Sequence, residues 1–306
     1  MLKADAVFEG GGVKGIGLVG AVCRFEEEGY TWERLAGTSA GAMIAAMLAA
    51  GYTGSELKNM FFEINYKDFK DKGGVQSIPL LGTPINLFIN NGVYSGDAIE
   101  VWMRKMLRRK GKVKFKDVSE NGKSKLKIIA ADITKRDLLI LPDSLVNYNI
   151  NPMEFDIAKA VRMSISIPLF FKPVQLRYKN KINYIVDGGI ISKFPIWIFD
   201  TSKKPRWPTF GFKFIDTKSS YTSKGKKDII SFSLDIIDTM IDKNEEMHIK
   251  NKDFVRTVSI SSEGIKTADF NLQKERYVEL FNSGYNAADK FISNWDFDRY
   301  IKDYRS

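Results

Sequence analysis

The chain has 306 residues, a formal net charge of +10 and a single cysteine. Such a length accommodates one large α/β domain or two small ones; one cysteine excludes an intrachain disulfide, and no segment reaches the roughly 20 apolar residues needed to span a bilayer. The positive balance invites a negatively charged partner, but the basic residues show no aromatic interleaving on a recognisable nucleic-acid module, so nucleic acid is not expected.

Residues 4–8, Ala-Asp-Ala-Val-Phe, read as a strand that runs directly into Gly10-Gly11-Gly12-Val13-Lys14-Gly15. A turn this poor in side chains lets several backbone N–H groups converge on one point, as a tetrahedral oxyanion requires, and Lys14 adds positive charge nearby. The same residues spell the Gly-x-Gly-x-x-Gly pattern of dinucleotide-binding turns. That reading expects an acidic residue at the end of the next strand, where this chain instead leads through 34–37 into a serine motif. The stretch 16–29 is helical in pattern, and Cys23 within it reads as a packed core thiol.

Residues 34–36 form the next strand signal, followed by Gly37-Thr38-Ser39-Ala40-Gly41 and an Ala, Met, Ile and Leu helix over 40–51. A serine between glycines on a strand-to-helix turn sits on a sharp, strained elbow that projects its hydroxyl toward substrate. The helix behind it turns its N-terminal N–H groups and positive dipole end toward that serine. Farther on, residues 75–93 are apolar but broken by Pro79, Pro84 and glycines. They read either as a mobile flap or as an ordinary buried loop. A basic cluster follows, comprising Arg104, Lys105, Arg108, Arg109, Lys110, Lys112, Lys114 and Lys116, with a second group at Lys224, Lys226 and Lys227. Both groups read as solvated surface or as a face for anionic membrane.

Strand signals return at 126–131, ending in Asp132, and at 182–186, ending in Asp187-Gly188-Gly189. A serine hydroxyl needs a base. His248 is the only histidine and lies in a charged helical stretch with no strand end or glycine turn to aim it, so a carboxylate is the better candidate. An ordinary aspartate near pKa 3.9 is a weak base for an alcohol, each unit of mismatch costing about 1.36 kcal/mol. Partial burial and charge stabilisation by the Gly10 to Gly12 amides close that gap together. Residue pattern leaves Asp187 and Asp132 both open, with the adjacent glycines favouring Asp187. Beyond it, the aromatic residues Trp197, Trp207, Phe210, Phe212 and Phe214 read as core, 228–243 as a packed helix, 254–261 as a strand and 273–291 as a helix.

The fold class expected is α/β, a mostly parallel central sheet with helices on both faces and the site at the strands' carboxyl ends. Because motifs spread over residues 10–189 must meet in one place, that span folds as a unit, and a single domain over 1–306 is expected.

The three motifs, in this order, resemble the patatin-like phospholipase family. The resemblance implies that Ser39 is the nucleophile, Asp187 the proton acceptor and the loop from Gly10 to Gly15 the oxyanion hole, with Gly11 and Gly12 as principal donors. It further implies action on ester bonds of lipids with no metal, cofactor or histidine. Met163-Ser164-Ile165-Ser166-Ile167-Pro168, Val93-Tyr94-Ser95-Gly96-Asp97 and Thr267-Ala268-Asp269-Phe270 also resemble family landmarks. One departure is local: where the family often has an asparagine shortly before a proline, this chain reads Ser192-Lys193-Phe194-Pro195. A non-catalytic protein that uses its glycine loops to hold lipid or nucleotide phosphate is the alternative. A cytoplasmic location, with peripheral contact at a membrane, accords with the absence of a charged-then-apolar leader before Gly10. If no histidine takes part, His248→Ala leaves ester turnover nearly intact in a steady-state assay, and a loss of several hundredfold would restore a histidine mechanism.

Overall fold

The computed structural model describes residues 1–64, 69, 92–215, 251–265, 267, 269 and 272–305. The N-terminal half contains β1 (Leu2–Phe8), α1 (Gly15–Glu27), β2 (Tyr30–Thr38), α2 (Ala40–Ala49), α3 (Gly54–Glu63), β3 (Gly92–Tyr94) and α4 (Asp97–Arg109). There follow β4 (Ser119–Glu120), β5 (Lys123–Ser124), β6 (Leu126–Asp132), β7 (Asp137–Leu141), α5 (Ile157–Ser164), β8 (Leu169–Phe171), β9 (Val174–Tyr178) and β10 (Lys181–Asp187). The chain continues through β11 (Thr209–Ile215), α6 (Asn251–Phe254), β12 (Thr257–Ser261), α7 (Lys274–Asn294) and α8 (Phe297–Tyr304).

The main sheet has the order β12-β11-β1-β2-β6-β10-β9, with β7 also paired to β6. From β12 to β6 every pairing is parallel, whereas β10, β9 and β7 run antiparallel to their partners. The α/β reading therefore holds, with one refinement: the strand that carries Asp187 opposes the direction of β6. Alternation along β1 explains the layers, because successive side chains point to opposite faces of a strand. Ala4, Ala6 and Phe8 enter the larger core with residues of α1, α2, α5 and α7. Val7, with Ala36 of β2, faces a smaller core built by Phe194, Ile196 and Phe199, the last two belonging to a 3-10 turn at Ile196–Phe199.

Most predicted elements are present with shifted ends. The 40–51 helix closes at Ala49, the 273–291 helix runs as Lys274–Asn294, and the strand expected over 254–261 begins only at Thr257, behind the short α6. At that front end Arg256 and Asp253 are buried and ion-paired, a charged pairing that strand periodicity does not reveal. The C-terminal α8, capped by Asp296 accepting from the Arg299 N–H at 2.9 Å, was not anticipated. Phe210, Phe212, Phe214 and Cys23 are buried as expected, but Trp197 is exposed. Burial pushes the Cys23 thiol up to about 11, so it stays protonated and unreactive. None of the described helices is long and apolar enough to cross a membrane. Residues 75–91, the 228–243 helix, Lys224, Lys226, Lys227 and His248 lie outside the described residues.

Helix α1, which leaves the glycine loop, is seated on α7 through glycines. A Cβ built on Gly284 would lie 1.8 Å from the Gly17 carbonyl oxygen, and one on Gly20 would lie 2.1 Å from the Phe281 carbonyl oxygen. Backbone is the obstacle in both cases, so a methyl group can be admitted only by moving a helix. Gly284→Ala is therefore expected to destabilise by about 1–3 kcal/mol or more, read as a lower denaturant midpoint.

Candidate active site

The register along β6 brings the two candidate reacting residues together. β2 pairs with residues 126–129 of β6, Thr38 lying opposite Ile129, while β10 pairs with residues 130–132, Asp187 lying opposite Ala130. β7 pairs with residues 128–132 and so occupies the other edge. Consequently β2 and β10 share one edge of β6 and meet end to end, with Ser39 emerging from one strand and Asp187 ending the other.

At that meeting point Ser39 adopts φ 54° and ψ −122°, a strained conformation for a residue with a side chain. The flanking glycines are sterically required. A Cβ on Gly37 would sit 2.3 Å from the Gly41 carbonyl, and one on Gly41 would sit 2.4 Å from the Phe8 carbonyl oxygen. Ala40 opens α2, whose first turns bond to the Ser39 carbonyl through the N–H groups of Ala42 (2.9 Å) and Met43 (3.3 Å). Ser39 and Asp187 are each only 6 % exposed.

Asp187 is oriented by its own loop: the Gly189 N–H donates to Oδ1 at 2.8 Å, and the Asp187 N–H donates to the Ser166 carbonyl at 2.9 Å. Gly188 lies over β6, where a Cβ would meet the Ile129 carbonyl oxygen at 2.6 Å. The same loop is tied to both other motifs. Thr38 Oγ1 donates to the Ser192 carbonyl at 3.1 Å, and the Gly10 N–H donates to the Lys193 carbonyl at 3.1 Å.

The glycine-rich loop lies directly against the elbow, with the Cβ position of Gly10 only 3.3 Å from Ser39 Cβ. Its six amides are not equivalent. The N–H of Gly10 is held by Lys193, that of Val13 by the Thr267 carbonyl at 3.1 Å, that of Lys14 by the Gly11 carbonyl at 3.1 Å, and that of Gly15 by the Gly12 carbonyl. The N–H groups of Gly11 and Gly12 have no acceptor among the described residues. Gly12, at φ +54°, could not carry a side chain, since a Cβ would fall 2.1 Å from the Thr267 carbonyl oxygen. Lys14 is buried with its ammonium 5.1 Å from the Phe214 ring centroid.

Gly10, Gly11, Ser39, Asp187, Gly189 and Lys193 line one cavity of about 40 Å³, closed on its apolar sides by Ile167, Pro168 and Ile190. The three sequence motifs thus share a single cleft. Asp132 is excluded from it: its Oδ1 accepts from the N–H groups of Thr134 (2.8 Å) and Lys135 (3.0 Å), and its Oδ2 from the Tyr148 hydroxyl at 2.6 Å. Both oxygens of this fully buried carboxylate are spent on structure, and burial together with Asp132 pushes the Tyr148 hydroxyl well above its usual range. Among the described residues no three of His, Cys, Asp or Glu gather into a metal site.

Residues that the motifs alone did not assign a task also emerge. Ser164, fully buried at the end of α5, donates to the Ile129 carbonyl at 2.5 Å and accepts from the Ser39 N–H at 2.9 Å. Two residues on, Ser166 holds Asp187 through its carbonyl, while its own hydroxyl donates to the Arg162 carbonyl at 2.7 Å and accepts from the Arg162 guanidinium at 2.5 Å. One Ser-x-Ser segment therefore grips both sides of the junction, although only its likeness to a family landmark had marked it. The basic cluster is partly neutralised. Arg104 pairs with Glu100 and Asp156, Lys110 with Glu56, and Lys114 and Lys116 with Glu154.

A family profile described as Patatin-like phospholipase matches residues 6–200, more than half of the chain. The chain belongs to the patatin-like phospholipase family. It is 35 % identical over 294 residues to YqhO, an uncharacterized protein of Bacillus subtilis (strain 168), covering 96 % of this chain and 99 % of that one. It is 24 % identical over 201 residues to the probable lipid hydrolase 463L of Invertebrate iridescent virus 6, covering 62 % and 61 % of the two chains. Among solved structures, VipD from Legionella pneumophila superposes with a TM-score of 0.57 at 16 % identity, covering 95 % of this chain and 66 % of VipD. The type III effector ExoU superposes with a TM-score of 0.53 at 15 % identity, covering 96 % of this chain and 53 % of ExoU. The chain thus spans about two thirds of VipD and half of ExoU, and at these identities the likeness shows a shared patatin-type fold.

Because Ser164 fixes the backbone of Ser39, Ser164→Ala is expected to lower kcat by up to about a hundredfold with KM nearly unchanged. Steady-state kinetics beside a thermal melt would expose a merely structural role as a lower melting temperature with kcat intact.

Proposed function

We propose that this protein is a serine lipid acyl hydrolase, cleaving acyl esters of lipids with Ser39 as nucleophile and Asp187 as base. The observation that carries this reading is the shared cleft: Ser39, Asp187 and the loop whose Gly11 and Gly12 amides lack acceptors among the described residues border one small space. Membership of the patatin-like phospholipase family supports the lipid class of substrate.

The chemistry follows from that arrangement. Ser39 Oγ attacks the ester carbonyl carbon while its proton passes to the Asp187 carboxylate, and the carbonyl oxygen becomes an oxyanion facing Gly11 and Gly12. Collapse of the tetrahedral species breaks the bond to the alcohol, which leaves with the proton from Asp187, and the acyl group remains on Ser39. Water then attacks the acyl-serine, giving its proton to Asp187; the fatty acid departs and the proton returns to Ser39. The Gly189 N–H bond to Oδ1 fixes the orientation of the Asp187 carboxylate within the cleft it shares with Ser39, and that placement supports its use as base. The cavity of about 40 Å³ suits a reacting ester centre, not a whole lipid.

A fluorophosphonate probe provides the test, because covalent capture needs an activated serine and phosphate binding does not. The wild-type protein should be labelled on Ser39, with Ser39→Ala unlabelled and Asp187→Asn slowed by roughly a thousandfold or more. Asp132→Asn should lose stability more than activity. Undiminished labelling of Ser39→Ala would move the nucleophile elsewhere, and an Asp187→Asn variant with wild-type turnover would reject the dyad.

A further inference from the structure

Lys193 occupies an unusual place in this cleft. It lies six residues beyond Asp187, lines the cavity with Ser39 and Asp187, and touches the start of the glycine-rich loop in two ways. Its carbonyl accepts from the Gly10 N–H at 3.1 Å, and its Nζ stands 3.4 Å from Oε1 of Glu9. Glu9 is 1 % exposed and directly precedes Gly10. Its Oε2 accepts from the Phe214 N–H, and its own N–H donates to the Phe212 carbonyl at 3.0 Å.

A carboxylate withdrawn from water is tolerable only when hydrogen-bonded and paired, and removing one partner of such a pair leaves an uncompensated charge. Here the compensating cation comes from the loop that carries Asp187. The pair therefore joins two of the three loops by charge as well as through the main chain, at the residue next to the amides that would receive the oxyanion. The far end of the glycine loop is held differently, by the Thr267 carbonyl, which accepts from the Val13 N–H at 3.1 Å. Gly11 and Gly12 thus lie between two anchored points, the Glu9–Lys193 pair and the Val13–Thr267 hydrogen bond.

We propose that Lys193 is a positioning residue of the reaction: by its ion pair with buried Glu9 it fixes the glycine-rich loop relative to the Asp187 loop, holding Gly11 and Gly12 where the oxyanion forms. The proposal rests on the acyl hydrolase reading.

The test compares Lys193→Met, Lys193→Arg and the neutral pair Glu9→Gln/Lys193→Met, using the rate of fluorophosphonate labelling, kcat and KM on a soluble short-chain ester, and a thermal melt. Lys193→Met should label Ser39 and turn over about tenfold to a hundredfold more slowly, with KM within about twofold; Lys193→Arg should recover most of the loss. The neutral pair, which buries no lone charge, should melt close to wild type yet keep a lowered kcat, since the charge tie is gone. Wild-type kcat in the neutral pair, or a Lys193→Met protein that melts earlier but reacts at full rate, would reduce Lys193 to a stabilising contact. A defect in KM alone would make it a substrate contact and overturn the proposal. A wild-type protein inert to probe and esters would sink the hydrolase reading along with this one, whereas normal labelling of both wild type and Lys193→Met would sink this one alone.

Discussion

Two strands ending against each other along one edge of a third is the constraint on which the site depends. Since β2 stops opposite Ile129 and β10 stops opposite Ala130, the distance between the elbow and the aspartate loop is set by backbone hydrogen bonding in the sheet, not by the reach of side chains. A shift of β10 by one residue would turn Asp187 to the other face of the sheet. The register is protected because β9 and β7 extend the sheet around this junction and side chains of the larger core cover it.

Such a junction interrupts a ladder and exposes backbone groups that must be satisfied. Ser164 does this for the Ile129 carbonyl and the Ser39 amide in one stroke, while Ser166 receives the Asp187 amide and is itself secured by buried Arg162. Strain at Ser39 is thus opposed by a frame of short hydrogen bonds, as a residue in a sparsely populated conformation requires. Polar networks of this density in a dry setting are costly to leave incomplete, which accounts for hydroxyls and a guanidinium at positions where a packed core would otherwise take aliphatic residues.

Much of this was legible in the residues. Glycine on both sides of Ser39, glycine after Asp187 and the run from Gly10 to Gly12 all report local crowding or a positive φ, and the apolar strand and helix signals around them report a sheet with helices. What could not be read was direction and pairing. Period-two patterning in 182–186 marks a strand whichever way it runs, so the antiparallel course of β10 emerged only with its register. Asp132 and Asp187 both end strands, and only their hydrogen-bond partners separate them: Asp132 gives both oxygens to local structure. Likewise a lysine before Phe194-Pro195 looks like any surface charge until the fold sets it against Glu9, which is nearly two hundred residues away in sequence.

The floor under the glycine loop lies beyond the portion that the family profile covers. Phe212 and Phe214 of β11 hold Glu9 and crowd Gly11, Thr267 anchors Val13, and α7 fits into the glycine notch of α1, all of them after residue 200. A polypeptide trimmed to the matching portion would keep Ser39 and Asp187 and yet lose residues that pack against the glycine-rich loop. Residues beyond 200 therefore take part in the same packing that surrounds the glycine-rich loop.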